Sequence, residues 1–345
     1  MDNLQPTLRS LLARTDKLTI TATATATTLA AALAYAWHCY AQWHALGEGG
    51  VPRTPRGWLM NVAAHALARR DHRAVPAPYE KKRTRKNVAD GARRGKIGDV
   101  DGESTEIVLT AREEEIYDAL SRMSFLSFPL SHSDGDGIGF GFTRSSLPQR
   151  GSPRPTVPTT VFPQRQTTQT VSDAVVARQN AYIRSLAKAN PQVFAIRPSK
   201  LESPKFAALW LASTLFGSED QDQDEGKEKG SESRNVLVDA KRVRWLPPMA
   251  QGEIVHVHHE GSAHVILGLA DAAAVVRAGW GERHKMSGVK DMLPWGYVLL
   301  YAPREGSKDR DWEVWKAVVL AAARTVARCA GFEGEVVVPH SWDEE

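Results

Sequence analysis

The stretch GEIVHVHHEGSAHVILG, Gly252 to Gly268, decides the fold. Polar and apolar residues alternate with a period of two on both sides of Glu260 and Gly261. That pattern predicts a hairpin with one strand over residues 253–258 and the next over 263–267. The same alternation projects His256 and His258 from one face, where an antiparallel partner can bring His264 within reach. Outward from the hairpin, Ser172 is placed to cap a helix running to about Ala189, with Val175, Val176, Tyr182, Ile183 and Leu186 on one side. Pro191 and Pro198 bracket an extended piece containing Val193, Phe194 and Ile196. A short helix over 271–278 is stopped by Gly279, a strand covers 296–301, and a final helix over 311–328 aligns Trp312, Trp315, Val319, Ala322 and Val326 in one stripe. Strands and helices in this order predict an α+β domain, an antiparallel sheet with helices packed on one face.

The composition sets bounds around that domain. With 345 residues, 42% of them hydrophobic, the chain has enough apolar material for a sizeable core and is neither fibrous nor wholly disordered. Cys39 and Cys329 are too few for a disulfide scaffold or a cysteine-based zinc module. The charge of +4 comes from 44 Lys and Arg against 40 Asp and Glu. Its basic excess gathers in the run from Lys81 to Lys96, away from the folded pattern, so no nucleic acid partner is expected.

Residues 18–45 contain no Asp, Glu, Lys or Arg. Residues 18–40 are as long as a hydrocarbon core is thick, and Trp37, Tyr40 and Trp43 fall where a headgroup layer would lie. The expected order is therefore a basic flank at 1–17, a transmembrane helix at 18–40 that meets membrane lipid, a juxtamembrane segment at 41–79 and a disordered linker at 80–146. The folded domain follows at 147–332, interrupted by an acidic loop at 217–234, with a tail at 333–345. Basic residues after the span predict a single-pass protein with its folded domain on the cytoplasmic side. A cleavable signal peptide is the rival reading, because Arg9, Arg14 and Lys17 precede the apolar run and Ala34-Tyr35-Ala36 resembles a cleavage site.

The chemistry concentrates in one place. Five of the eleven histidines lie between His256 and His284. Converging imidazoles can hold a divalent metal, with Glu260 or His284 as a further ligand; they can act as acids and bases near neutral pH; or they can be hydrogen-bonded sheet residues without chemistry. Spacing leaves the three readings open. The block AGWGERHKMSG, Ala278 to Gly288, adds Trp280, Glu282, Arg283 and His284, and the following LPWGYVLLYAPRE adds Trp295, Tyr301 and Arg304. Such walls suit a flat aromatic ligand with an acidic hydroxyl: indole and phenol rings to stack, guanidinium for an anion, imidazole for the proton.

EIVHVHHEGSAHVILGLADAAAVVRAGWGERHKMSG followed by WGYVLLYAPRE resembles the signature of the fungal luciferase family. LGEGGVPRTPRGWLMN at Leu46 to Asn61 and LPQRGSPRPTVPTTVFPQRQTTQ at Leu147 to Gln169 are similar to blocks of the same family. The resemblance implies an oxygenase that uses O₂ as co-substrate and needs no metal, flavin or haem. Its substrate would be a small phenolic or pyrone resembling 3-hydroxyhispidin. On side-chain chemistry, His256 or His258 is the expected base, with His264 and His284 as partners or donors. Arg283 is the expected anion clamp, and Trp280, Glu282, Trp295, Tyr301 and Arg304 complete the expected substrate-binding set. Lys285-Met286 stand where the family tends to place a proline, and no light emission is expected. A metal-dependent enzyme built on His256, His258 and His264, and a non-catalytic ligand-binding protein, remain as readings from other classes.

Overall fold

A computed structural model describes residues 4–75, 124–126, 147–215, 252–289, 292–307 and 309–339. The basic run, the acidic loop and all of the expected linker except 124–126 lie outside them. Six strands form one antiparallel sheet: β1 (Phe194–Pro198), β2 (Ala207–Leu211), β3 (Glu253–Val257), β4 (Ala263–Ile266), β5 (Gly281–Arg283) and β6 (Tyr297–Leu300), in the order β1-β2-β3-β4-β6-β5. The helices among the described residues are α1 (Leu4–Ala45), α2 (Pro55–Ala64), α3 (Asp173–Ala189), α4 (Leu269–Arg277) and α5 (Arg310–Cys329). The α+β class read from the sequence is the class observed.

Strand register divides the sheet into two chemically different faces. Val255 opposes Val265 and Val265 opposes Val298, while Val257 opposes Ala263 and Ala263 opposes Leu300. This apolar face receives the helices. α5 packs on β3 and β4, α4 touches β5, β6 and α5, and Tyr182 of α3 sets its ring 6.1 Å from both Trp312 and Trp315 of α5. Trp312 and Trp315 themselves stack 5.3 Å apart, and the whole expected stripe through Val326 is buried. Each such side chain removed from water contributes about 1.5–3 kcal/mol, which is why an amphipathic α5 is held so firmly. The alternate residues make the second face, where His256 opposes His264, His264 opposes Leu299 and Glu282 opposes Leu299. One row across four strands therefore carries two imidazoles and a carboxylate.

Irregular chain covers that polar face. Phe162, Gln164 and Arg165 reach it from the loop before α3, and Glu202 and Phe206 from the β1–β2 connection. Asn61 of α2 pins the first of these segments by accepting the Val161 and Phe162 amides, each at 2.9 Å.

The expected transmembrane helix requires correction. Residues 18–40 are helical, as part of α1, but no helix among the described residues is long and apolar enough to cross a membrane. Six threonines, at 19, 21, 23, 25, 27 and 28, dilute the apolar run. Four of them return their hydroxyls to the helix, Thr23, Thr25, Thr27 and Thr28 each donating to the carbonyl four residues back at 2.8–2.9 Å. What the aromatic cluster does instead is dock the end of α1. Trp43 is buried and donates its indole N–H to the Phe162 carbonyl at 2.6 Å, and Tyr40 meets Trp58 of α2 edge-on.

Gly296 sets the entry to β6. A Cβ there would lie 1.8 Å from the Leu267 carbonyl oxygen, and the Leu267 amide donates to the Gly296 carbonyl at 2.9 Å. Because backbone rather than a flexible side chain blocks the space, Gly296→Ala is expected to lower stability by about 3 kcal/mol. A denaturant melt that left the midpoint unchanged would contradict this.

Candidate functional site

His256 and His264 sit opposite each other on β3 and β4, His258 follows β3 directly, and His284 follows β5. All four are buried, at 0–2% exposure, and their rings converge. Centroids are 5.1 Å apart for His256 and His258, 4.8 Å for His258 and His264, and 5.3 Å for His264 and His284. Tyr297 of β6 stacks on His264 at 4.9 Å and closes one side. The sequence thus brings all four imidazoles to a single place.

Hydrogen bonding assigns their protons. Glu253 accepts from the Ser199 hydroxyl at 2.7 Å and from the Lys200 and Leu201 amides at 2.8 and 3.2 Å, so the proton in its 2.6 Å contact with His256 belongs to Nδ1 of the ring. His256 Nε2 is then an acceptor, and His264 Nδ1 donates to it at 3.2 Å. That leaves a lone pair on His264 Nε2. In a parallel arrangement the Ser262 hydroxyl donates to Glu260 and accepts from His258 Nδ1 at 2.8 Å, which leaves a lone pair on His258 Nε2. Neither of these two Nε2 atoms has a hydrogen-bond partner, although both are buried. His284 is the opposite tautomer: its Nδ1 accepts the Met286 amide at 3.0 Å, so its Nε2 carries the proton.

Two carboxylates flank the rings. Glu202 Oε1 lies 3.9 Å from His258 Nε2 and forms an ion pair with Arg165, whose guanidinium also meets the Glu48 carbonyl and, at 3.0 Å, His259 Nδ1. Burial pushes Glu202 up to about 7 even with Arg165 beside it, and also raises Glu260. It pushes His258 and His264 well below the usual imidazole range and His284 down to about 3. Burial alone would raise Glu253, but the His256, Ser199 and Lys200 contacts hold it below the ordinary carboxylate value. His258, His264 and His284 are therefore neutral at physiological pH, which is the form that can take a proton or bind a cation.

The expected substrate-binding side chains are engaged elsewhere. Glu282 accepts from Arg73 at 2.7 Å, from the Tyr301 hydroxyl at 3.0 Å and from Gln164 at 3.1 Å, forming a buried network of its own. Arg283 pairs with Asp71 at 2.8 Å, and Trp295 lies beneath Arg69 and Arg283. Trp280 donates to the Pro148 carbonyl at 2.6 Å with Arg150 over its ring. Arg304 grips Asp311 of α5 at 2.6 and 3.0 Å. The aromatic and cationic groups beside the imidazoles are instead Tyr297, Phe162, Phe206 and Arg165. Glu202 and Arg165 come from distant loops without local pattern, whereas Glu253 stands three residues before His256 in the deciding stretch.

No curated protein matches the chain, and no solved structure does. Residues 251–322 match the family model described as the luciferase domain. That segment runs from the start of β3 into α5 and holds all four imidazoles, while Glu202 and Arg165 lie outside it. With the hairpin, its histidines and this match in agreement, the chain carries a luciferase domain at residues 251–322.

Proposed function

We propose that this chain is a luciferase-like oxygenase that uses O₂ to oxidise a small enolisable phenolic or pyrone at the imidazole cluster. The observation that carries this reading is the pair of buried, unpartnered lone pairs on His258 and His264, set beside the protonated Nε2 of His284. An enol reacts slowly with O₂ and its enolate much faster, because the anion can give up an electron. The protein must therefore take the enol proton and hold the resulting charge. A neutral imidazole lone pair suits the first task, and His284 N–H with Arg165 suits the second.

In the reaction proposed, the enol O–H proton leaves to the cluster and the enolate carbon bonds to O₂ as a peroxide. With a hydroxylated 2-pyrone the outer peroxide oxygen then closes on the adjacent lactone carbonyl carbon, displacing the ring oxygen as an enolate that regains the proton from the cluster. The O–O bond and the C–C bond between the two peroxide-bearing carbons break together, so that one O₂ is consumed, one CO₂ is released and the second oxygen stays in the product as a carboxyl group. Glu253 fixes His256, and through it His264, which keeps the receiving lone pair aimed while the proton arrives. The test is an oxygen electrode charged with full-length protein and a panel of hydroxylated 2-pyrones and catechols. Uptake is expected, with matching CO₂ release from the 2-pyrones. Uptake no faster than in buffer across the panel would overturn the reading.

A further inference from the structure

We propose that Glu202, His256, His258 and His264 form a binding site for one divalent first-row metal ion. The inference names a cofactor for the site assigned above and departs from the metal-free chemistry that the family resemblance implies. It stands on geometry. Each of the four residues offers one donor atom, and the four atoms lie within 4.8 Å of one another. Ligands at about 2.1 Å from a common ion are separated by about 3.4 Å in a tetrahedron and up to about 4.2 Å across an octahedron. Small ring rotations therefore close the set, and all three imidazoles are buried where few alternative partners exist.

Two further observations point to a ligand rather than to packing. His258 Nε2 and His264 Nε2 are buried lone pairs with no hydrogen-bond partner, an unfavourable condition that a cation would relieve. The outer contacts are those that orient metal-binding imidazoles. His256 gives its Nδ1 proton to Glu253 and His258 gives its own to Ser262, which is backed by Glu260, so that Nε2 of both rings faces inward. Charge agrees as well. Three carboxyl groups, of Glu202, Glu253 and Glu260, face the one guanidinium of Arg165, a balance that favours a cation. Three imidazoles and one carboxylate favour Zn, Co, Fe or Ni over Mg and Ca. An ion so held would supply by Lewis acidity what the proposed function asks of an imidazole base, namely stabilisation of a bound enolate.

The donors are not equivalent. His256 Nε2 already accepts a hydrogen bond from His264, so it must exchange a partner to bind the ion, whereas His258 and His264 Nε2 need exchange nothing. Loss of His258 or His264 should therefore weaken binding more than loss of His256.

The experiment is titration of chelator-stripped, full-length protein with Co²⁺, reading its visible d–d bands, followed by displacement with Zn²⁺ and elemental analysis after gel filtration. One equivalent per chain is expected for the wild type and for His259→Gln, which alters an exposed neighbouring imidazole. His258→Gln and His264→Gln should lose binding by at least a hundredfold and His256→Gln by less. Glu202→Gln provides a variant that leaves every imidazole in place, and far-UV circular dichroism checks that each chain is folded. Substoichiometric metal in the wild type, or His258→Gln and Glu202→Gln binding as tightly as wild type, would overturn the proposal. Oxygen uptake measured on the same samples separates the two readings. A stoichiometric ion without uptake defeats the oxygenase reading alone, and uptake by a protein that retains only substoichiometric metal defeats the metal site alone.

Discussion

Replacing His264 with alanine should lower oxygen uptake by about two to four orders of magnitude while leaving the domain folded. His264 is the ring through which the cluster is connected. It touches the rings of His256, His258, His284 and Tyr297, donates to His256, and presents an unpartnered lone pair. As proton acceptor or as metal ligand it is required, so the loss does not depend on which of the two roles the ring performs. Stability responds less. Truncating a buried ring leaves a cavity and exposes His256 Nε2, but it also removes a buried lone pair that was itself costly. The hole is the size of an imidazole, so added imidazole should restore part of the rate, a recovery that a misfolded variant would not show. Tyr301→Phe is the useful contrast. Its hydroxyl serves Glu282 in the separate network, and its removal should shift the melting temperature and leave uptake within about tenfold. An uptake rate in His264→Ala equal to that of wild type would remove the cluster from the reaction.

The contrast between those two variants follows from what a linear pattern can and cannot convey. Alternation along residues 252–268 placed His256 and His264 on one face, because strand periodicity is local and the hairpin turn is short. The α5 stripe was legible for the same reason at helical period. β2 was not, since AALWL is apolar throughout and without alternation a buried strand resembles any core segment. Arg165 and Glu202 reach the cluster from loops more than fifty residues before His256, and nothing in their surroundings marks them. Conversely, Trp280, Tyr301 and Arg304 were near in sequence to the histidines and chemically suited to a ligand, but their partners Pro148, Glu282 and Asp311 draw them to other parts of the domain. The apolar run at 18–40 misled for a different reason. Length and absence of charge are necessary for a membrane span, but threonine contributes little hydrophobicity while its hydroxyl is absorbed by the helix backbone.

Arg165→Met is expected to be the most destabilising single change at the site, by about 3–5 kcal/mol, because it strands Glu202 in the interior without its counter-charge. Arg165 is 2% exposed and binds Glu202 and the Glu48 carbonyl at once, so the loss uncouples two loops as well as two charges. Against a typical total of about 5–15 kcal/mol this corresponds to a fall of about 10 °C in melting temperature. The pH dependence has a definite sign. Burial holds the Glu202 carboxyl up to about 7 in the presence of Arg165, and removal of the guanidinium can only raise it. A carboxyl whose folded value is raised stabilises the fold below its unfolded value and loses that contribution as pH rises through the folded one. The variant should therefore lie closest to wild type near pH 5 and furthest from it near pH 8. Adding Glu202→Gln removes the stranded charge, so the double variant should regain most of the loss at pH 8. An equal deficit at both pH values, undiminished by Glu202→Gln, would show that Arg165 acts through packing alone. The double variant also separates two properties of one carboxylate: it should fold nearly as well as wild type and yet fail to retain the metal ion.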